Sequence, residues 1–276
     1  MDSAPTKPSD KAKEDLTIDI TMAVVIPKIT KILENSLSVY KVDVKQLKIL
    51  DPDIVITQAH CDVCAVSLKE VEEIVFKHLS EKTKIISLQP NTLNDVLEDI
   101  KRVAIGLDIE IAKVNNLIKP LIDRLENIKS KNINQIKPKV ACIEWIDPLM
   151  AAGNWIPEMV NIAGGEDVFG KSGKDSHWIN FRDIEEHNPD IIIFLPCGYN
   201  IEKTNNEVES LVKKNVEWRR LKAFDNKQFF VVDGNQFFNR PGPRLVESVE
   251  IFADIIQPKL FNFNHEQSGW INFFKQ

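Results

Sequence analysis

Two cysteines and a histidine lie together in the segment Thr57–Ser67, TQAHCDVCAVS, directly after an apolar run. Thiolate and imidazole groups bind zinc, and the spacing of Cys61 and Cys64 also occurs in thiol redox pairs. A structural zinc needs four ligands, so His60 and Cys197 would have to complete the set from separate places. The segment also fits a turn between a strand and a helix that holds two small buried thiols. The spacing alone leaves these alternatives open.

Other apolar runs are also followed by polar and aromatic residues. In parallel α/β sheets, ligands bind beyond the carboxyl ends of the strands. A mixture of aromatic faces and a few polar groups suits a large, partly apolar ligand. The candidate binding residues are Gln58, His60, Cys61, Cys64, Glu144, Trp145, Trp155, Cys197, Gly198, Asn235 and Arg240.

Three of these candidates carry specific expectations. Trp145 and Trp155 lie in the turn-rich segment EWIDPLMAAGNW, so we expect both side chains to be partly exposed. Arg240, in NRPGPR, precedes the last helix. A cation at the positive end of a helix dipole is mildly unfavourable unless an anion, such as a group on a ligand, lies opposite it.

Motifs of the common enzyme classes are missing from the sequence. It has no Ser-His-Asp order, no phosphate-binding loop and no glycine-rich dinucleotide fingerprint. The sequence therefore offers no catalytic residues from these motifs. A thiol oxidoreductase that uses Cys61 and Cys64 is the catalytic alternative.

The composition is that of an ordinary globular protein. The 276 residues are 43% hydrophobic and 28% charged, and the net charge of −6 gives no indication of nucleic-acid binding. Four cysteines in a chain of this length do not indicate a disulfide framework. No apolar run reaches the ~18 residues of a membrane span, and the polar start does not resemble a secretory signal. The chain as written is thus expected to stay in the cytoplasm.

The same sequence pattern occurs twice along the chain. In both LKILDPDIVITQ and IEEHNPDIIIFLP, a helix end is followed by Pro-Asp and a run rich in Ile and Val. Runs that are apolar throughout fit strands buried on both faces of a parallel sheet. Further strands are predicted at Lys84–Leu88, Lys139–Trp145 and Gln228–Val232. We interpret the pattern as an α/β fold with two Rossmann-like lobes and parallel sheets.

A helical segment separates the predicted lobes. Apolar residues recur at steps of three and four over Leu93–Ile128, which predicts one long helix, with Gly106 and Pro120 as the points for a break or a kink. The predicted organisation is a disordered tail at 1–15, an N-terminal lobe at 16–92, a linking helix at 93–130 and a C-terminal lobe at 131–276.

Five segments together resemble the cobalamin-type periplasmic binding proteins, which are substrate-binding components of ABC importers. The similarity covers about Asn35 to Phe261. The segments are TQAHCDVCAVSLKEVE, SLQPNTLNDVLEDIKRVA, CIEWIDPLMAAGNWIPEMVNIAGGEDVFG, NPDIIIFLPCGYN and VVDGNQFFNRPGPRLVESVEIFADIIQPKLF. The resemblance implies two α/β lobes that are joined by one long helix and bind their ligand between them.

The resemblance also implies a ligand and a set of contacts. The loop Gln58–Cys64 would line the cleft from the first lobe. Glu144, Trp145, Trp155, Cys197, Gly198 and Arg240 would line it from the second lobe. Tryptophan faces would cover a corrinoid ring, while Gln58, Asn235 and Arg240 would meet its amides or its phosphate. The cargo would be cobalamin or a related corrinoid, with haem or an iron-siderophore as the alternatives, and His60 is a candidate cobalt ligand. The implied protein is a monomer that is not an enzyme, has no resident cofactor and works with an ABC transporter permease.

The chain departs from this family at its start. The family begins with a strand-and-helix unit and a second strand, and Met1–Glu34 is too short to supply them. The family is also exported to the periplasm or another extracytoplasmic site. We therefore expect a shortened first lobe, and either a gene start placed too late or an intracellular relative whose binding is changed or lost.

Overall fold

The computed structural model describes residues 42–58 and 67–275. The predicted tail, the start of the first lobe, and His60, Cys61 and Cys64 lie outside these residues. The described chain divides into two compact units. The first unit comprises residues 42–53, 57–58 and 67–83, and the second comprises residues 54–56 and 84–275.

The first unit contains two short helices with side-chain caps. Helix α1 spans Val44–Leu50, and the Asp43 carboxylate accepts hydrogen bonds from its first N–H groups. Helix α2 spans Leu68–His78, and the Ser67 hydroxyl caps it in the same way. These caps satisfy backbone donors that have no partner within the helix. Strand β1, Ile54–Gln58, has its first three residues in the second unit and pairs with β2, Lys84–Leu88.

The second unit contains most of the described helices and strands. Its helices are α3 Leu93–Gly106, α4 Ile111–Asn132, α5 Ile156–Ile162, α6 Phe181–His187, α7 Ile201–Lys214, α8 Lys222–Asp225 and α9 Leu245–Ile256. Its remaining strands are β3 Lys139–Ile146, β4 Leu149–Ala151, β5 Glu166–Asp167, β6 His177–Trp178, β7 Ile191–Phe194, β8 Phe229–Val232 and β9 Trp270–Asn272. None of the helices in the described ranges has the length and apolar content that a membrane span needs.

Strands β3 to β9 form one mixed sheet in the order β6-β4-β3-β7-β8-β9, with β5 paired to β3. Strands β3, β7 and β8 are parallel, with Val140 opposite Ile191 and Ile192 opposite Phe229. The strands predicted around these residues are confirmed. Because the three strands run in the same direction, their carboxyl ends lie at one edge of the sheet, which is where the sequence predicts binding.

Alternate residues of the three parallel strands point into two different cores. Ile191 and Ile193 pack with α3, α4, α5 and α9 on one face of the sheet. Ile192 and Phe194 pack with α6, α7 and α8 on the other face. Because helices cover both faces of the sheet, these strands appear in the sequence as continuous apolar runs rather than as alternating apolar and polar residues.

The predicted linking segment forms two helices. Helix α3 begins with the predicted capping box between Thr92 and Asp95 and ends at Gly106, where the sequence allowed a break. After residues 107–110, α4 continues through Pro120 to Asn132. Both helices bury apolar residues in the same core as the large sheet. The predicted boundaries at 92/93 and 130/131 stay a prediction.

Candidate functional site

The loop after β7 begins the candidate site. Gly198 has a φ of +76°, a conformation that glycine adopts without strain. Its N–H donates a hydrogen bond to Oδ1 of Asn239, at 3.2 Å. Cys197, one residue earlier, is exposed, and its N–H donates to the backbone carbonyl of Glu144 at 3.3 Å. The loop is therefore bonded to the chain that follows β8 and to β3.

The chain after β8 forms a π-helical turn, Gly234–Phe238. The buried Asp233 carboxylate accepts from the backbone N–H and the side-chain amide of Gln236, both at 2.8 Å. A Cβ at Gly234 would lie 2.4 Å from the carbonyl oxygen of Pro196. Only glycine allows the two loops to approach this closely. π-helical turns occur often at functional sites.

Tyr199 is buried and packs beneath the residues of the site. Its carbonyl accepts the N–H of Asn235 at 3.0 Å. Its ring packs against Trp145, with centroids 5.5 Å apart, and the Lys203 ammonium lies 3.7 Å from the ring centroid. Burial, helped by the charge of Glu207, raises the pKa of the Tyr199 phenol to about 12. The phenol therefore stays neutral at physiological pH.

Glu144 and Trp145 follow Ile143, the last residue of β3 that pairs with β7, and both are half-buried. The indole N–H of Trp145 donates to the carbonyl of Asp147 at 3.1 Å. The Glu144 carboxylate accepts from the Ser176 hydroxyl at 2.6 Å. These bonds fix both side chains beside the loop after β7. The half-buried Trp145 ring therefore lies at the edge of the sheet, packed on the buried Tyr199 and flanked by polar groups.

Arg240 does not lie at a helix N-terminus, so that expectation is wrong. Helix α9 begins at Leu245 with Arg244 as its N-cap, after Pro241 and Pro243. The exposed Arg240 guanidinium instead donates through Nη2 to Oδ1 of Asn235, at 3.0 Å. The arginine is held by a neutral amide, and the guanidinium has other N–H groups that can donate to acceptors on a ligand.

Trp155 is a packing residue in this structure, so the expected partial exposure is wrong. Its side chain is 4% exposed, and its Nε1–H donates to the carbonyl of Phe238 at 2.9 Å. Phe238 lies in the turn after β8, and the local sequence around Trp155 does not show that this turn covers the ring.

A depression of about 350 Å³ opens beside the aromatic pair. Its walls are Gly198, Asn200, Glu202, Lys203, Asn206 and Asn235. Four of these residues belong to the start of α7 or its cap, and none of the four was predicted as a site residue. The segment CGYN after a buried strand was the available sequence signal, since a helix that follows such a strand begins at the ligand-binding edge.

The structure thus places six of the eleven predicted residues at one edge of the large sheet, namely Glu144, Trp145, Cys197, Gly198, Asn235 and Arg240. Gln58 ends β1 in the first unit and is half-buried. His60, Cys61 and Cys64 lie outside the described residues, so their roles stay predictions. Within residues 42–58 and 67–275, no group of three or more His, Cys, Asp or Glu side chains is placed to hold a metal ion.

Comparison with known families identifies the fold. Residues 34–235, well over half of the chain, match the periplasmic binding protein family. The chain belongs to this family. Its members of this type are substrate-binding components of ABC importers, which confirms the family predicted from the five sequence segments.

Individual relatives within the periplasmic binding protein family differ in what they bind. The Bacillus subtilis ABC transporter substrate-binding lipoprotein YvrC is 24% identical over 256 residues, which are 90% of this chain and 75% of YvrC. The high-affinity haem uptake system protein IsdE of Staphylococcus aureus is 32% identical over 122 residues, 41% of each chain. The structure of the Vibrio cholerae vitamin B12 binding protein BtuF aligns with a TM-score of 0.58 at 16% identity, over 80% of each chain. At that identity the likeness shows the fold alone.

Proposed function

We propose that this substrate-binding protein binds a corrinoid such as cobalamin, without catalysing a reaction. The observation that carries the proposal is the half-buried Trp145 ring, which packs on the buried Tyr199 with 5.5 Å between centroids, beside the polar groups of Gly198, Asn235 and Arg240. A corrinoid is a flat macrocycle with amide arms and a phosphate. Aromatic faces bury the ring, while directed donors bind its periphery.

Each polar residue has donors to offer at the periphery of such a ring. The Oδ1 of Asn235 accepts a hydrogen bond from Arg240, so the NH₂ group of Asn235 can donate to acceptors on a ligand. The Arg240 guanidinium presents further N–H groups in a planar fork, which suits a phosphate or an amide oxygen. Gln58 remains a predicted contact from the first lobe, and Trp155 is better assigned to the core than to the ligand.

Haem is the second candidate ligand. The observation that favours it is the 32% identity with IsdE over 122 residues. Lys203 and Arg240 would then pair with the haem carboxylates, since both cations lie at the site. The two ligands would therefore offer different acceptors to the same donors at this edge of the sheet. A corrinoid offers amide and phosphate oxygens, whereas haem offers carboxylates.

The test is a titration of the purified full chain with cyanocobalamin and, in parallel, with haemin and a ferric siderophore. Calorimetry gives the stoichiometry. The chain has five tryptophans, so the difference in fluorescence change between the wild type and Trp145→Phe reports on Trp145. We expect saturable one-to-one binding of cyanocobalamin in the micromolar range or tighter. Saturation by haemin alone transfers the assignment to haem. A cooperatively folded chain that binds none of the three ligands refutes the proposal.

A matched control separates the site from the rest of the surface. Ile136 lies just before β3, at the amino end of that strand, and is 91% exposed. Ile136→Ala removes an exposed apolar side chain from the edge of the sheet opposite to the site, so it should leave the affinity unchanged. Equal losses in Trp145→Ala and Ile136→Ala would show that the ligand adsorbs to exposed apolar residues rather than to the site.

The predicted alternative, a thiol oxidoreductase, depends on Cys61 and Cys64. Both lie outside the described residues, so the alternative stays a prediction, and measurement of the two thiol pKa values tests it. The ABC transporter permease and the monomeric state implied by the resemblance are also proposals. A pull-down with the permease and sedimentation analysis of the purified chain test them.

A further inference from the structure

Asn239 connects the two loops that carry the candidate site. Its Oδ1 accepts the N–H of Gly198 across 41 residues of chain, at 3.2 Å. The same oxygen lies 2.8 Å from the place where a Cβ would stand at Gly234. The Asn239 side chain thus sits between the loop after β7 and the turn after β8, and it was not among the predicted site residues.

The backbone just before Asn239 is held from the core. The Phe238 carbonyl accepts the indole N–H of Trp155 at 2.9 Å, and the Phe237 carbonyl accepts the Ser248 hydroxyl. Phe238 itself is 1% exposed. Because these bonds fix the main chain just before Asn239, they also limit the direction of its side chain. The hydrogen bond that Asn239 accepts from the Gly198 N–H then fixes the position of Gly198.

Two walls of the depression depend on this arrangement. Gly198 is bonded to Asn239, and Asn235 is bonded through its N–H to the Tyr199 carbonyl and through its Oδ1 to Arg240. Arg240 directly follows Asn239 in the chain. A hydrogen bond at Asn239 therefore couples the position of Gly198 to that of Arg240.

We propose that Asn239 is a positioning residue, whose Oδ1 holds the Gly198 loop at the separation from Asn235 and Arg240 that the ligand needs. The inference rests on the proposed function for its effect on binding. The hydrogen bond itself is independent of any ligand. A residue in this role needs a side chain long enough to bring an acceptor oxygen to the Gly198 N–H, and it need not touch the ligand.

Two substitutions separate positioning from packing. Asn239→Ala removes the acceptor, whereas Asn239→Asp keeps an oxygen in its place. Asn226→Ala is the matched control, because Asn226 is an exposed asparagine in the chain that leads into the opposite end of β8. The readouts are the amide hydrogen exchange of Gly198 by NMR, the cyanocobalamin affinity by calorimetry and the Tm.

We expect Asn239→Ala to accelerate exchange of the Gly198 amide and to weaken cyanocobalamin binding by about fivefold to tenfold, the range that the loss of one net hydrogen bond gives. Asn239→Asp should restore both readouts, and Asn226→Ala should change neither. A fall in Tm without a change in Gly198 exchange would overturn the inference, whatever the ligand does.

The failures of the two proposals differ. If the wild-type chain binds cyanocobalamin and Asn239→Ala accelerates exchange without weakening binding, the positioning role is refuted and the proposed function stands. If the wild-type chain binds neither cyanocobalamin nor haemin, the proposed function and the effect on binding both fail. Failure of Asn239→Asp to restore Gly198 exchange would contradict the role of the acceptor oxygen.

Discussion

The indole N–H of Trp155 donates to the carbonyl of Phe238, 83 residues further along the chain, at 2.9 Å. This bond joins the start of α5 to the turn that follows β8. Trp155 is 4% exposed, so its ring packs in the core while its one polar atom holds the loop that carries Asn239 and Arg240. A core residue and the candidate site are thus in direct contact.

Trp155→Phe should lower the free energy of unfolding by about 1–3 kcal/mol, because it leaves a buried carbonyl without its donor. Trp155→Ala should lower it by about 3–5 kcal/mol, since a cavity is added. Urea denaturation measures both. Trp178→Phe, at an exposed position, should have little effect. A Trp155→Phe variant as stable as the wild type would show that the bond contributes nothing.

Trp145→Ala should weaken cyanocobalamin binding by about tenfold to a hundredfold, as the loss of a central aromatic contact does. The half-buried ring packs on Tyr199 at the sheet edge, so the Tm should change little. Calorimetry on the purified variant, with Ile136→Ala as the control, measures the affinity. Unchanged affinity in Trp145→Ala would place the ligand elsewhere.

The strands and helices were predictable because their signals are local. Lys84–Leu88 has the predicted bounds, since charged and turn residues delimit a short β-branched run. Thr92 and Asp95 form the predicted capping box because the motif needs only four consecutive residues. The parallel arrangement of β3, β7 and β8 follows from their fully apolar runs.

The candidate site was predictable in position and only partly in composition. The rule that ligands bind at the carboxyl ends of parallel strands places Gly198 and Asn235 at the same edge. It does not show that the indole N–H of Trp155 bonds to the Phe238 carbonyl, or that Asn239 reaches Gly198, because these contacts join segments far apart in sequence. Arg240 was misplaced for a local reason, since α9 begins after the second of two prolines rather than at the first.

The pair Arg124 and Glu250 fixes α4 to α9 through two hydrogen bonds of 2.8 Å. The Glu250 side chain is 9% exposed, and His265 lies 3.3 Å away. Arg124→Met should lower the free energy of unfolding by about 2–3 kcal/mol, because a buried carboxylate loses its partner while the 39% exposure of Arg124 moderates the loss. Thermal and urea denaturation measure the change.

The control for this prediction is the exposed pair Arg182 and Glu186 on α6, where the side chains are 82% and 59% exposed. Arg182→Met should change the free energy of unfolding by less than about 0.5 kcal/mol. Adding Glu250→Gln to Arg124→Met should recover part of the loss, since no uncompensated charge remains. Equal effects of Arg124→Met and Arg182→Met would show that burial of Glu250 is unimportant.

Asp167, on β5, should make the stability depend on pH in the direction opposite to that of most carboxylates. Burial raises its pKa to about 6, against the N–H groups of Gly170 and Phe169, the Cys142 thiol and the charge of His177, which lower it. Because the folded-state pKa lies above the unfolded value of 3.8, the folded chain binds the proton more tightly. The stabilisation from Asp167 is therefore complete below pH 3.8 and is lost as the pH rises through 6.

Asp167→Asn removes this titration and keeps an oxygen for the two N–H groups. The free energy of unfolding of the variant, relative to the wild type, should increase by about 2–3 kcal/mol between pH 4 and pH 7, which is the energy of a shift of about two pKa units. Urea denaturation at several pH values measures this difference, and Asp175→Asn, at an exposed position, is the control. A difference that stays constant with pH, or that decreases, would show that the Asp167 carboxyl is ionised in the folded chain throughout this range.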